Sequence, residues 1–198
     1  MRLILASASP RRAQILRDAG LRFEIASTGV SERRKPGESA RAMTRRLAIA
    51  KARAALQKFA NSRTKAVVIG ADTTVELEGQ ILEKPQSPAA ARKMLAKLSG
   101  RTHQVTTSVA AIRMPDGVER VVTETTRVRF APLTSAEIDE YVSTGEPLDK
   151  AGAYGVQGIG GRYIEKIDGC YFNVVGLPLA RVYRLLVDLG WKPAALRH

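Results

Sequence analysis

Cysteine and histidine are nearly missing from this chain of 198 residues: it has one cysteine, Cys170, and two histidines, His103 and the terminal His198. A lone cysteine excludes an internal disulfide and fits a reducing compartment. So few Cys and His nearly exclude a thiolate–imidazole metal centre, and leave a Mg²⁺-like cation with oxygen ligands as the metal chemistry open to the chain. Aromatic residues amount to only 5 %, and no nucleic-acid reader motif is present. No apolar run approaches the roughly 18 residues of a membrane span. Leu3-Ile4-Leu5-Ala6 is too short for a signal-peptide core. The chain therefore reads as soluble and cytoplasmic, with no membrane partner. A P-loop, a G-x-G-x-x-G turn opening a helix and a G-x-S-x-G elbow are also absent.

What is present is apolar bulk and positive charge. With 44 % hydrophobic residues the chain has enough to bury a core, as one domain or two small lobes. Lys and Arg number 32 against 19 Asp and Glu, a formal net charge of +13. That excess points to a polyanion, either nucleic acid or small phosphates, or else to solvated surface charge. Arginine outnumbers lysine 22 to 10, which favours bidentate contact with phosphate or carboxylate.

Periodicity gives an alternation of strands and helices. Residues 2–6 read as a buried strand. Ser9-Pro10 opens a helix that stops at Gly20, because Ser caps and Pro fits the first helical position. Residues 22–26 read as a strand and 28–37 as a polar loop. A helix follows from about Glu38 to Phe59, with Met43, Leu47, Ala50 and Ala54 as its apolar stripe. Ala66-Val67-Val68-Ile69-Gly70 has the continuous apolar character of a central strand, with Thr74 to Glu78 continuing into a hairpin at Gly79. Ser87-Pro88 opens a helix ending near Gly100. Val105 to Ile112 and Val121 to Phe130 are strands joined by a turn at Pro115-Asp116-Gly117. Thr134-x-x-Glu137 is a capping box, with Leu133 and Ile138 as its staple, for a helix running to Thr144. Residues 145–161 read as a glycine-rich loop, 162–167 and 171–175 as strands, and Pro178 starts a last helix. The pattern is α/β or α+β with a mixed sheet.

Four places could carry chemistry. Ser7-Ala8-Ser9-Pro10-Arg11-Arg12 joins a helix N-terminus to two hydroxyls and two guanidiniums, an anion site. The alternative is an ordinary cap with two solvated arginines. Asp72, at the end of the most apolar strand, could hold a hard cation, act as a base or cap a turn. Glu32, in the polar loop, is a second carboxylate or a solvated one. Lys51 lies at the border of the long helix's stripe, and Lys84-Pro85 is an extended lysine; each either reaches a ligand or lies on the surface. The segment from Asp149 to Gly161 sets Lys150, Tyr154 and Gln157 among glycines that allow close backbone approach. Gln157, a donor and an acceptor at once, suits a base edge.

In order along the chain stand L-I-L-A-S-A-S-P-R-R at 3–12, Lys51-Ala52, Ile69-Gly70-Ala71-Asp72-Thr73, Leu82-Glu83-Lys84-Pro85 and Leu98-Ser99-Gly100-Arg101-Thr102-His103-Gln104-Val105. G-E-P-L-D-K-A-G-A-Y-G-V-Q-G at 145–158 and N-V-V-G-L-P-L at 173–179 complete the set. Together they resemble the Maf family of nucleotide pyrophosphatases over nearly the whole length. The resemblance implies one Maf-like domain over 1–198: an α/β fold, ITPase-like, with a mixed twisted sheet flanked by helices and two lobes around a central cleft. It implies a homodimer and a divalent metal cation, Mg²⁺, Mn²⁺ or Co²⁺. The implied reaction takes a nucleoside triphosphate to its monophosphate and pyrophosphate, as a house-cleaning activity with a link to cell-division arrest.

By that resemblance Asp72 is the catalytic carboxylate and, with Glu32, a metal ligand. Ser7, Arg11, Arg12, Lys51 and Lys84 fall at the phosphate-binding positions. Arg11, Thr73 and Gln157 are similar to the specificity positions of the group acting on dTTP and UTP, a preference that extends to modified pyrimidine triphosphates. Many members carry Val-Asp-Glu where this chain has Val30-Ser31-Glu32. The alternatives are a 7-methyl-GTP pyrophosphatase of the same family, a nucleic-acid-binding module and a septation regulator. The scattered basic residues argue against nucleic acid as the main partner.

Overall fold

The computed structural model describes residues 1–59 and 65–192, so His198 lies outside the described residues. The elements run β1 (Arg2–Leu5), α1 (Pro10–Asp18), β2 (Glu24–Ile25), α2 (Ala40–Gln57), β3 (Ala66–Leu77), β4 (Gln80–Leu82), α3 (Pro88–Leu98), β5 (Thr102–Met114) and β6 (Glu119–Phe130). They continue with α4 (Ser135–Ser143), three 3-10 turns (Glu146–Asp149, Ala151–Ala153, Ile159–Tyr163), β7 (Ile164–Asp168), α5 (Tyr171–Val175) and α6 (Leu179–Asp188). The fold is mixed α/β. Its seven-stranded open sheet has the order β2-β1-β3-β5-β6-β7, with β4 paired to β3. β1 lies parallel to both β2 and β3, while β3–β4 and β6–β7 are antiparallel. Among the described residues no helix is long and apolar enough to cross a membrane.

Local chemistry explains the helix starts. Ser9, Ser39 and Ser87 each accept the N–H of the residue three further on, Arg12, Ala42 and Ala90, and Pro10 and Pro88 occupy the first turn. The capping box of α4 forms: the Thr134 N–H donates to Glu137 at 2.7 Å, and the Glu137 N–H donates to the Thr134 hydroxyl at 3.3 Å.

The chain divides into two compact units. The first comprises the described residues of Met1–Asp72, Thr107–Glu124 and Gly176–His198; the second comprises Thr73–Thr106 and Thr125–Val175. In the first, Ile4, Ala6, Ala26, Ala55, Ala66, Val68 and Met114 form one apolar cluster, and Ala48, Ala52, Ala110 and Ile112 another. In the second, α3 contributes Ala91, Leu95 and Leu98 and α4 contributes Ile138, Tyr141 and Val142 to a core that also holds Phe130 and Tyr154.

Three expectations are corrected. Residues 171–175 form α5, not a strand. The Cys170 N–H donates to the Thr126 hydroxyl at 3.0 Å, and the Asn173 amide donates to Thr126 Oγ1 and to the Val105 carbonyl, both at 2.9 Å. These bonds hold a tight turn that an extended chain could not supply. Residues 145–161 are not plain loop but contain three 3-10 turns. Finally, Asp72 lies inside β3, not at its end, because the β-branched Thr73, Thr74 and Val75 carry the strand on to Leu77.

Candidate functional site

The site is built in the first unit where β1 leads into α1 and where α2 packs on β3. Ser7, Arg12, Lys51 and Asp72 are all buried, at 7, 8, 7 and 6 % exposure. The burial of Lys51 has a specific cause. The stripe of α2 is turned from the expected one: Ala50 and Ala54 are only half-buried, while Ala48, Ala52 and Ala55 are fully buried. This small-residue face lets the helix approach β3 closely at Gly70. A Cβ there would collide with the Ala48 carbonyl oxygen and come within 2.6 Å of the Ala52 nitrogen. Lys51 therefore lies within the buried stripe instead of at its border, next to Ala52, which meets Gly70 two strand positions before Asp72.

Lys51 Nζ donates to Asp72 Oδ1 at 2.7 Å and pairs with Glu32 Oε1 at 2.5 Å. One ammonium thus draws together a buried carboxylate and an exposed one. Burial lifts the Asp72 carboxyl above the usual aspartate range. The Lys51 ammonium and the Arg12 guanidinium oppose that shift without cancelling it, and Glu32 adds to it.

Arg12 is held against backbone. Its Nε donates to the Gly176 carbonyl at 2.8 Å, and its Nη1 donates to the Ala71 carbonyl at 2.9 Å and to Ser7 Oγ at 3.1 Å. Ser7 Oγ also accepts the Ser9 N–H at 3.2 Å. Burial lowers the guanidinium's pKa from its ordinary value, opposed by Asp72 and Glu32. Arg12 thus fixes the strand residue just before Asp72 and keeps a positive charge beside it.

Of the residues singled out from sequence, the structure brings together Ser7, Arg12, Glu32, Lys51 and Asp72. Arg11 is half-exposed on the first turn of α1. Thr73, Lys84 and Gln157 belong to the second unit, Thr73 half-buried in β3 and the other two exposed. Sequence reasoning missed Gly70 and the carbonyls of Ala71 and Gly176, which seat Lys51 and Arg12. The alanines at 48, 52 and 55 were the available signal for the close helix–strand approach.

A buried aspartate of raised pKa, paired with a lysine and backed by an arginine near a helix N-terminus, defines a class of site suited to anionic, phosphate-bearing ligands and to proton transfer. The chain matches the Maf-like protein family over residues 2–189, and it belongs to that family. It is 51 % identical over 189 residues to a dTTP/UTP pyrophosphatase of Moorella thermoacetica, covering 96 % of this chain and 95 % of that protein. It is 50 % identical over 190 residues to a dTTP/UTP pyrophosphatase of Koribacter versatilis, with the same coverage. A solved structure similar to it is a dITP/XTP pyrophosphatase of Mycobacterium abscessus, at 18 % identity and TM-score 0.44, covering 96 % of this chain and 98 % of that one.

Proposed function

We propose that this protein hydrolyses dTTP and UTP, and modified pyrimidine triphosphates, to the monophosphate and pyrophosphate. One observation carries the chemistry: the buried Asp72 carboxylate held by Lys51 beside Glu32. The choice of nucleotide comes from the relatives named above.

Asp72 accepts a proton from a water whose oxygen attacks the α-phosphorus. The new bond forms there as the α–β bridging bond breaks, and the bridging oxygen leaves with pyrophosphate. The raised pKa of Asp72 makes it a better base than a solvated aspartate. Lys51 holds the carboxylate in place and keeps it ionised. Ser7 and Arg12 shape the positive N-terminus of α1 toward a phosphate, and Arg11 and Lys84 bind phosphate oxygens. Arg11, Thr73 and Gln157 select the base.

Asp72 and Glu32 present oxygen donors only, which fits a hard cation of the Mg²⁺, Mn²⁺ or Co²⁺ kind. Among the described residues no group of three or more His, Cys, Asp or Glu gathers. A cation held by one or two carboxylates, with substrate phosphates and water as its other ligands, needs none. When bound, it neutralises phosphate charge and makes a coordinated water more acidic.

In this reading the chain works as one Maf-like domain, as a homodimer in the cytoplasm, with a house-cleaning role and a link to division arrest, as the family resemblance implies. The test is product analysis with dTTP, UTP and 7-methyl-GTP in the presence of each cation. The expected result is dTMP or UMP with pyrophosphate from the first two. Release of orthophosphate and the diphosphate, or turnover of 7-methyl-GTP alone, would overturn it.

A further inference from the structure

Between Gly155 and Gly160 the chain of the second unit carries the exposed Gln157. Both ends of this short segment are tied to one pair of side chains. On one side the Gly155 N–H donates to the Tyr141 hydroxyl at 3.1 Å. On the other, the Ile159 N–H donates to Glu146 Oε2 at 2.9 Å and the Gly160 N–H to Glu146 Oε1 at 3.2 Å. The pair is itself joined, for the Tyr141 hydroxyl donates to Glu146 Oε1 at 2.7 Å. One carboxylate and one phenol thus close a ring of hydrogen bonds around Val156, Gln157 and Gly158.

The glycines are the other half of this arrangement. A Cβ at Gly158 would run into the Glu146 carboxylate, and one at Gly160 would run into the Tyr141 hydroxyl. A Cβ at Gly155 would come within 2.8 Å of the Lys150 side chain, whose Nζ donates to the Glu146 carbonyl at 2.6 Å. The glycines are therefore not there for looseness: they let backbone close onto Glu146 and Tyr141. The carboxylate stays charged in this setting. Burial alone would raise its pKa, but the bonds from Tyr141, Ile159 and Gly160 and the Lys150 charge more than reverse that.

We propose that Glu146, with Tyr141, is the clasp that positions Gln157, and so sets how well the enzyme tells one pyrimidine base from another without touching the nucleotide. The proposal rests on the reading of Gln157 as a base-reading residue. Because an ionised acceptor binds two backbone N–H groups at once, a neutral acceptor of the same shape cannot replace it.

Three variants test this: Glu146→Gln, Tyr141→Phe and Gln157→Ala. For each, kcat and KM are measured with UTP and with CTP, and backbone amide exchange is followed at Ile159 and Gly160. In Glu146→Gln the preference for UTP over CTP should fall about tenfold, the size of one hydrogen bond to a charged group, mostly through KM. The amides of Ile159 and Gly160 should exchange faster while the core helices stay protected. Tyr141→Phe should do the same more weakly, and it carries the test if Glu146→Gln does not fold. Unchanged exchange at Ile159 and Gly160 in a folded variant would overturn the clasp. So would unchanged base preference in both clasp variants when Gln157→Ala loses it. If Gln157→Ala itself keeps the preference, the base-reading role of Gln157 fails, and the amide exchange alone decides whether the clasp exists.

Discussion

Every charged side chain that is buried among the described residues, Arg12, Lys51 and Asp72, belongs to the first unit. In the second unit the buried polar groups, Thr74, His103, Thr106, Thr126, Asn173 and the rings of Tyr141, Tyr154 and Tyr163, carry no charge. Burial pushes the His103 imidazole down to about 4, so it is neutral at ordinary pH, with its Nε2 against the Tyr154 hydroxyl at 2.8 Å. Its ring stacks edge-on with Phe130 and Tyr154, at 5.3 Å in each case. Buried charge costs desolvation that an apolar residue of similar volume would avoid. The first unit bears that cost where a charged ligand would meet it, while the second uses neutral polarity to hold shape.

The comparison breaks first at Asp72. Asp72→Asn removes the proposed base but little volume, and kcat/KM should fall by about 10³ with the circular dichroism spectrum intact. A variant that keeps a tenth of the activity would take Asp72 out of the chemistry. Lys51→Met leaves a buried carboxylate without its ammonium and should destabilise the protein by about 3–5 kcal/mol. Here the sign matters. Losing Lys51 raises the Asp72 pKa further, so the loss should be greatest near pH 8 and shrink as acid protonates Asp72. Urea midpoints across pH would show this, and a pH-independent loss would not fit.

The second unit should respond to acid in the opposite sense. The folded pKa of His103 is about 4 against an ordinary 6.5. Its contribution is present above the ordinary value and is lost as pH falls toward the folded one. That amounts to about 3 kcal/mol, which should vanish from the pH dependence of urea unfolding in His103→Gln. The smallest effect is expected at Gly70. Gly70→Ala forces α2 away from β3 and should cost about 1–3 kcal/mol in urea unfolding. Turnover should fall with it, because Lys51 moves with its helix; full activity would separate the helix contact from the site.

Much of this was legible before the structure, where the chemistry is local. The Ser-Pro starts of α1 and α3 and the Thr134 capping box depend on a few adjacent residues, and all form as the sequence reads. The Tyr171–Val175 run failed because an apolar pentapeptide suits a strand or a short helix equally. Thr126 and Val105, 47 and 68 positions from Asn173, decide between them. Lys51 differs from its expected place for a related reason: periodicity carries the stripe from Met43 and Leu47 on to Ala50 and Ala54, whereas the face that meets β3 runs through Ala48, Ala52 and Ala55. The pairing of Lys51 with Asp72, 21 positions apart, is invisible to periodicity, and only the ordered family motifs linked the two residues.

The bond from Arg12 to the Gly176 carbonyl spans 164 positions. During synthesis α1 can form early, yet the Arg12 guanidinium gains this acceptor only once residue 176 has been made. A chain that stalls before residue 176 would carry every titratable group of the first-unit site and still leave its deepest arginine unanchored.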